Sequence, residues 1–477
     1  MKPLAAAVVT GVLTCGCTLA LAQARQLYPA TQGSALEPPA LTAATAGVAE
    51  PLTLAQARGI ALRNHPGIAA AGYRAEAQHQ VFVEARAGLL PQVTAYGSAV
   101  HAGADNTRLM AGGLNNPSVM SRTAFGAGVS QLITDFGHTS NLAASAKLSA
   151  SAAEQTALAT REQVLLEVDR NYLGALQAQA VEDVARQTLD TRQLLVDRVT
   201  ILAQNKLKSD LDVSFAQVAL EDAHLLVLRA HSDAESTLAA LSTVLGYREQ
   251  HRFTLADETR VPVPAAADVS PLIEQALHNR PELAGLRDER DAALHLARSL
   301  RDARLPTISA VVAAGDAPSH DARLPDNYSA GGLQVSVPLF AGGLYQARQR
   351  EAELRAKAAA ESLRTAEDNV SRDVRIAWLN LNNARERLHA TGQLRRYAVT
   401  AYELADARYK AGSSSIVELS QAQLALTSAQ IDETAARYEV LMRASDLDYQ
   451  IGTPPSADLT DDYPLPERLR GRPLGLP

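Results

Sequence analysis

The residues with chemistry to offer are few. Eleven histidines are scattered along the chain, with no His-Glu-x-x-His and no pair at metal-ligand spacing. The glycine-rich runs "LFAGGL" (Leu339 to Leu344) and "MAGGLNN" (Met110 to Asn116) have no Gly-Lys-Ser/Thr after them, so they read as turns and not as phosphate cradles. Neither an enzyme nor a cofactor is implied. One stretch stands apart, "YKAGSSSIVELSQAQ", from Tyr409 to Gln423. It gathers a phenol, serines, Glu418 and Gln421 in the break between two long helical patterns. A carboxylate can attract cations, and a phenol can donate a hydrogen bond. Which of these happens depends on the elements that hold the stretch.

The composition narrows those elements. Aromatic residues make up 4% of the 477, with one Trp and six Phe. Alanine and leucine dominate, which points to long helices with thin seams rather than to a bulky enzyme core. The net charge of −7 gives no footprint for a nucleic-acid partner. The start "MKPLAAAVVTGVLTCGCTLALAQA" has a basic Lys2, an apolar run and small residues at Ala20 and Ala22. That is the layout of a secretory signal peptide over residues 1–22. Both cysteines, Cys15 and Cys17, lie inside it, so the mature chain carries no thiol. Cys17 follows Gly16, but Thr14 stands where a lipoprotein signal has leucine, which leaves a lipid anchor as the lesser reading. No other stretch is apolar for long enough to span a membrane as a helix.

The sequence is written twice. Asn64 through Pro66 repeats as Asn279 through Pro281, and Leu90-Pro91 as Leu305-Pro306. Further on Gly137 matches Gly343, Tyr172 matches Trp378, Asp212 matches Glu418, and Gly246 matches Gly452. The first copy is longer between Pro91 and Gly137, and the extra residues fit the polar loop Gly103 to Ser121. The repeats are 52–246 and 270–452, joined by a linker 247–269, with an extended segment 23–51 before them and a Pro-rich tail 453–477 after. Each repeat reads as a helix, two alternating strands and two long helices. The strands are expected at Gln92 to Val100, Ala124 to Ile133, Thr307 to Ala314 and Ala330 to Val337. The longest helices are expected from His138 to about Leu202 and from Leu344 to about Lys410, each on the order of 100 Å. Val213, Ala216, Leu220, Ala223, Val227, Ala230 and Ala234 form a heptad seam, matched by Leu419, Ala422, Leu426, Ala429, Glu433, Ala436 and Val440.

The strands carry the functional argument. Each is about ten residues long, which suits a tilted strand crossing a bilayer. One face is apolar, and the other carries Ser, Gly, Thr and Gln, as in a membrane barrel with a wet lumen. Four strands cannot close a barrel, and open edges in lipid cost several kcal/mol per unpaired group. The chain must therefore share a barrel with copies of itself. A periplasmic coiled-coil scaffold without a pore is the alternative from another class.

Taken together, the duplicated Asn-x-Pro start, "LLPQV" with "RLPTI", "SQLITDFG" with "SVPLFAGG", "RYKAGSSSIVELSQAQ" and "LDYQIG" resemble the TolC-like outer-membrane efflux channel-tunnels of Gram-negative bacteria. The resemblance covers about Leu52 to Gly452. It implies an α+β membrane protein whose four strands enter a 12-stranded barrel shared by a homotrimer in outer-membrane lipid. A barrel of long helices would cross the periplasm, with a mixed equatorial region to which both termini either contribute or stay disordered. It implies a passive exit duct served by a periplasmic adaptor (membrane fusion) protein and an inner-membrane transporter of RND or ABC type. The cargo would leave through a tripartite efflux pump or a type I secretion system.

The resemblance also assigns roles at the far end of the helices, about 100 Å from the strands. Lys208, Ser209, Gly412, Ser413 and Ser414 would form the adaptor-docking tip. A tyrosine corresponding to Tyr409 would bond a carboxylate of the other repeat, here Asp212. Glu418 would sit in a ring of carboxylates around the lumen. The second ring position falls on Gln421 and a gate arginine on Ser414, so those two parts are missing. The plain alternatives are that Glu418 and Asp212 are solvated helix residues and that Tyr409 packs against a neighbour.

Overall fold

The computed structural model describes residues 51–100, 110–111, 114–115, 122–249, 251, 253–257, 268–319 and 326–453. The leader, almost all of the segment before Leu52, most of the loop Gly103 to Ser121 and the tail beyond Thr453 lie outside the described residues. In chain order the elements are α1 (Leu54–Asn64), α2 (Pro66–Ala87), β1 (Gln92–Val100), β2 (Met110–Ala111), β3 (Leu114–Asn115), β4 (Arg122–Thr134), α3 (His138–Gln204) and α4 (Asp210–Val244). The second repeat gives α5 (Ser270–Asn279), α6 (Pro281–Asp302), β5 (Thr307–Ser319), β6 (Asn327–Ser336), α7 (Leu344–Lys410) and α8 (Ile416–Gln450).

The helices α3 and α7 have 67 residues each, about 100 Å. No partner is long enough to cover either one. Antiparallel α2 and α4 divide the length of α3 between them, and α6 and α8 do the same for α7. The seams are narrow because their buried positions are mostly alanine. Ala216, Leu220, Ala223, Ala230 and Ala234 are buried along α4, and Leu419, Ala429, Ala436 and Val440 along α8. Helix α6 packs on both α3 and α7, and α8 also packs on α3, which joins the two repeats.

Where one partner helix gives way to the next, the two repeats use the same joint. Gly246 and Gly452 have left-handed backbones, with φ of 86° and 67°. A Cβ on Gly246 would stand 2.6 Å from the carbonyl oxygen of Asn64, and one on Gly452 would stand 3.1 Å from the Asn279 carbonyl carbon. Thus the Asn of each Asn-x-Pro start sits on the glycine that ends the second long helix, which is why both signatures recur together. The proline then opens α2 or α6, where its missing N–H costs nothing. Beneath the first joint the largest core forms around Val168, Tyr172, Leu241 and Leu245. The Tyr172 hydroxyl lies 2.7 and 2.8 Å from the carbonyl oxygens of Leu52 and Ala256. The stretch read as a linker is therefore pinned in part. Leu52 N–H donates to Thr254, and Ala256 N–H donates to Leu52.

The strands form one antiparallel sheet in the order β1-β4-β5-β6. Its first three strands align Val93, Val129 and Val312 on one face, and Ile308 and Val335 extend that face between β5 and β6. Val93, Val312, Leu333 and Val335 on this face are more than half exposed. The opposite face carries small and polar residues and one transverse row, Tyr96–Gly126–Gly315–Tyr328, with one residue from each strand. The two outer tyrosines lie over the glycines and meet at 3.0 Å between hydroxyl oxygens. Strands β1 and β6 are paired on one side only among the described residues.

Several boundaries differ from expectation. Strand β5 runs to Ser319, because the ladder continues through Gly315↔Tyr328 and Asp316↔Asn327. Strand β6 starts at Asn327 and ends at Ser336, since Pro338 removes a donor, so Val337 is outside it. Within the polar loop after β1 lie the two-residue strands β2 and β3, paired with each other. Gly126 gives a direct test of the tyrosine row. A Cβ there would lie 2.5 Å from the Tyr328 hydroxyl and 2.6 Å from the Ala314 carbonyl oxygen. Gly126→Val should displace β5 and lower the yield of folded protein in the membrane, read as lost sheet signal in circular dichroism. Tyr328→Phe removes only the hydroxyl contact and should fold to near-normal yield.

Candidate functional site

Two helix reversals form the end opposite the sheet. In the first, α3 ends at Gln204, Lys206 takes a left-handed φ of 61°, and Ser209 caps α4. Ser209 and Asp212 form a reciprocal capping box. The Ser209 N–H and hydroxyl both lie 3.0 Å from the Asp212 carboxylate, and the Asp212 N–H returns a bond to the serine hydroxyl oxygen at 3.3 Å. In the second, Gly412 turns the chain with a φ of 75°, and the Ser413 N–H and hydroxyl both donate to the Arg408 carbonyl. Ser415 then caps α8 by accepting from the Glu418 N–H. A small core of Leu195, Val199, Ala405, Tyr409, Ile416 and Leu419 ties the reversals together.

Tyr409 and Asp212 come close but do not bond. Tyr409 is 2% exposed, and its buried hydroxyl has no hydrogen-bond partner among the described residues. The Asp212 carboxylate is committed to its own capping box, where it also complements the α4 dipole. The expected lock between the repeats is thus absent in this conformation. The contact across the reversals is a different one, with the Lys208 ammonium 4.1 Å above the Tyr409 ring centroid. Burial pushes the phenol above its ordinary range, and the nearby Asp212 charge adds to that.

Glu418 is not a free carboxylate. Arg408 Nη1 lies 2.7 Å from one of its oxygens, and the Ser414 hydroxyl donates to the other at 2.9 Å. Arg408 as a partner of Glu418 was not expected from the sequence. The clue was available, since Arg408 directly precedes Tyr409 at the end of α7. Both partners are about half exposed, so the pair is worth about 0–1 kcal/mol and acts mainly by neutralising charge. Gln421 is exposed three residues beyond Glu418 and lines a groove between α3, α4 and α8.

A second set of charged groups sits near the joint between partner helices. Arg58 holds Asp169 through two bonds of 2.6 Å, both largely buried. Further along α3, burial pushes the Glu162 carboxyl up to about 7, helped by the Glu282 charge and opposed by Arg280 and Arg161. Burial also raises Asp448, and the charge of Asp169 adds to that.

Two strands per repeat, feeding a helical hairpin about 100 Å long, make a fold that recurs among solved structures. The Campylobacter jejuni CmeC outer membrane channel shares it with a TM-score of 0.73 and 18% identity, over 86% of this chain and 88% of that one. The chain belongs to the outer membrane efflux protein family, which it matches over residues 57–247 and 272–453, the two repeats. It is 26% identical to outer membrane protein TolC of Salmonella enteritidis over 201 residues, 40% of this chain. It is 24% identical to TolC of Vibrio cholerae over 310 residues, 64% of this chain. The chain spans 41% of the length of the first relative and 70% of the second. Its location is the outer membrane of a Gram-negative bacterium.

Two measurements probe these groups. Tyr409→Phe deletes an unpartnered buried hydroxyl and keeps the ring under Lys208, so stability should hold or rise by about 1 kcal/mol. A clear loss in thermal unfolding would mean that the hydroxyl has a partner in the assembled protein. Glu162 gives a pH dependence. Its folded-state value of about 7 lies above the ordinary 4.5, so folding favours the protonated acid. That contribution is complete below about 4.5 and is lost as the pH rises through 7. Glu162→Gln should therefore raise the unfolding temperature at pH 8 and leave it nearly unchanged at pH 4.5.

Proposed function

We propose that the protein is the passive exit duct of a tripartite efflux pump or type I secretion system, and that it works as a homotrimer. One observation carries this reading. The four-stranded sheet has an apolar face and, among the described residues, two unpaired edges, and it leads directly into two helices too long and too polar to lie in lipid. In a bilayer those edges must be paired, because each unsatisfied backbone group costs several kcal/mol. Three copies would supply 12 strands and close the ring. The helical hairpins would then surround a continuous lumen through the periplasm. Helix-tip residues Lys208, Ser209, Gly412, Ser413 and Ser414 would meet a periplasmic adaptor, and an inner-membrane transporter would supply the energy. The test is the mass of the detergent-solubilised protein together with its conductance in a planar bilayer. A particle of three chains that conducts supports the duct, and a monodisperse monomer that keeps its sheet signal would overturn it.

The tip chemistry adds a sharper expectation. Around a three-fold axis Glu418 would recur as a ring of carboxylates, each already half-neutralised by its own Arg408. A trivalent cation added on the periplasmic side should block the current only modestly in the wild type. Arg408→Gln should deepen the block, and Glu418→Ala should abolish it. Equal block of all three proteins would place Glu418 away from the lumen.

A further inference from the structure

Each of the connections between the sheet and the helices leaves a large apolar side chain in the open. Leu89 and Leu90 lead into β1, Phe136 follows β4, Leu305 leads into β5, and Leu339 and Phe340 follow β6. The last two are 92% and 91% exposed, more than any other large apolar residue among those described. All these connections lie at one end of the sheet, where the register sets Thr134 beside Ile308 and Thr307 beside Ser336. Gln131, near the end of β4, donates to the Leu89 carbonyl at 3.0 Å and holds the first connection in place. Arginines stand just beyond. Arg86 is in the last turn of α2, Arg304 lies between α6 and β5, and Arg348 is near the start of α7. All three are exposed, and none has a side-chain hydrogen bond or ion pair among the described residues. The acids at this level are mostly committed. Asp135 accepts from the Gly137 and Thr139 N–H groups, Asp302 is buried beside Arg301, and Glu351 pairs with Arg355. Glu84 is exposed in the same turn as Arg86. The repeats share the pattern, since the offset that matches Leu90 to Leu305 also matches Arg86 to Arg301. In the second repeat Arg301 is taken by Asp302, and Arg304 is the free arginine. A single exposed leucine needs no explanation, but apolar groups at every connection with free guanidinium groups behind them fit the edge of a bilayer.

We propose that this collar binds anionic phospholipid in preference to zwitterionic phospholipid, in the leaflet on the helical side of the sheet. Leu90, Leu305, Leu339 and Phe340 lie among the ends of the acyl chains nearest the headgroups. Arg86, Arg304 and Arg348 donate to phosphate oxygens, which the planar guanidinium suits in geometry as well as in charge. A zwitterionic headgroup brings its own cation to the phosphate, whereas phosphatidylglycerol offers the phosphate alone. Glu84 makes Arg86 the weakest of the three contacts, because it sets a negative charge in the same turn. The inference rests on the reading that the sheet lies in the bilayer, and it adds which lipid the protein selects there.

The experiment places the full chain in phosphatidylcholine vesicles with a trace of spin-labelled lipid. The label reports the fraction of lipid slowed at the protein surface. Spin-labelled phosphatidylglycerol should associate about threefold to fivefold more strongly than spin-labelled phosphatidylcholine at low salt, the order expected of arginines at a membrane surface. The preference should shrink toward parity at about 1 M salt, where screening cuts the reach of exposed charge to about 3 Å. Replacing all three arginines, by Arg86→Gln, Arg304→Gln and Arg348→Gln together, should bring the two lipids to parity at low salt. Equal association of both lipids with the wild type overturns the proposal. So does a preference that survives high salt. A preference unchanged in the triple variant overturns it too, and would mean that a neighbouring copy covers the arginines. Should the triple variant fail to insert, the salt series on the wild type decides together with Arg304→Gln alone, which should lower the preference. In each of these outcomes slowed lipid is present, so the sheet is in the bilayer and the duct stands. If neither lipid is slowed, the sheet is not in the bilayer, and both readings fall.

Discussion

A helix of 67 residues cannot hold itself straight in water, and most of the architecture answers that constraint. Helical stability in proteins comes from burying a face, not from propensity alone. Each of α3 and α7 must bury a seam over its whole length, yet its partners have only 22 and 35 residues. Two partners are therefore laid end to end, and their meeting point becomes the weakest place in the wall. The chain reinforces it there. The left-handed glycine lies against the asparagine, the proline starts the next helix, and Tyr172 sits beneath the first joint with Leu52 and Ala256 on its hydroxyl. Alanine seams keep the helices close enough for this joint to close.

The two joints have diverged within one geometry. The first buries the Arg58–Asp169 pair. At the matching positions the second has Ile273 and Arg375, and Ile273 packs against the apolar core around Val374 and Leu283. A buried ion pair is a poor source of net stability, because desolvation offsets much of the attraction. An apolar packing site can therefore replace it without loss. What the pair provides is direction, since two bonds fix where α1 sits on α3 and thereby place Leu52 for its contacts with Thr254 and Ala256. The second repeat has no matching strand pairing at its joint among the described residues and does without that device.

Much of this was legible because it is periodic. The starts of α3 and α7 at His138 and Leu344, and the end of α7 at Lys410, follow from a glycine before and a break after a pattern without proline. Strand β1 matched its alternation at both ends. Strand β5 was cut short at Ala314 because Ala313, Ala314 and Gly315 show no alternation, and only the ladder to β6 reveals that pairing continues. The tip was legible as a place but not as a network. Glu418 and Tyr409 were singled out by the family resemblance, which set them at the break. The partners of Glu418 were not, because Arg408 reaches it across a reversal that folds ten residues back on themselves.

The same reasoning explains why the two tips differ although the repeats match. At Asp212 and Glu418 the chain has acids at equivalent positions, each at the third residue of its helix, where a carboxylate can complete a capping box. Asp212 does so and spends its charge on the Ser209 N–H. In α8 the Ser415 hydroxyl accepts from the Glu418 N–H, but the longer glutamate side chain turns outward to Ser414 and Arg408 instead. One methylene and one arginine thus separate a purely local cap from a charged group facing out of the helix pair. Duplication supplied two acids at the same helix position, and one closes its cap on Ser209 while the other pairs with Ser414 and Arg408 of its own chain.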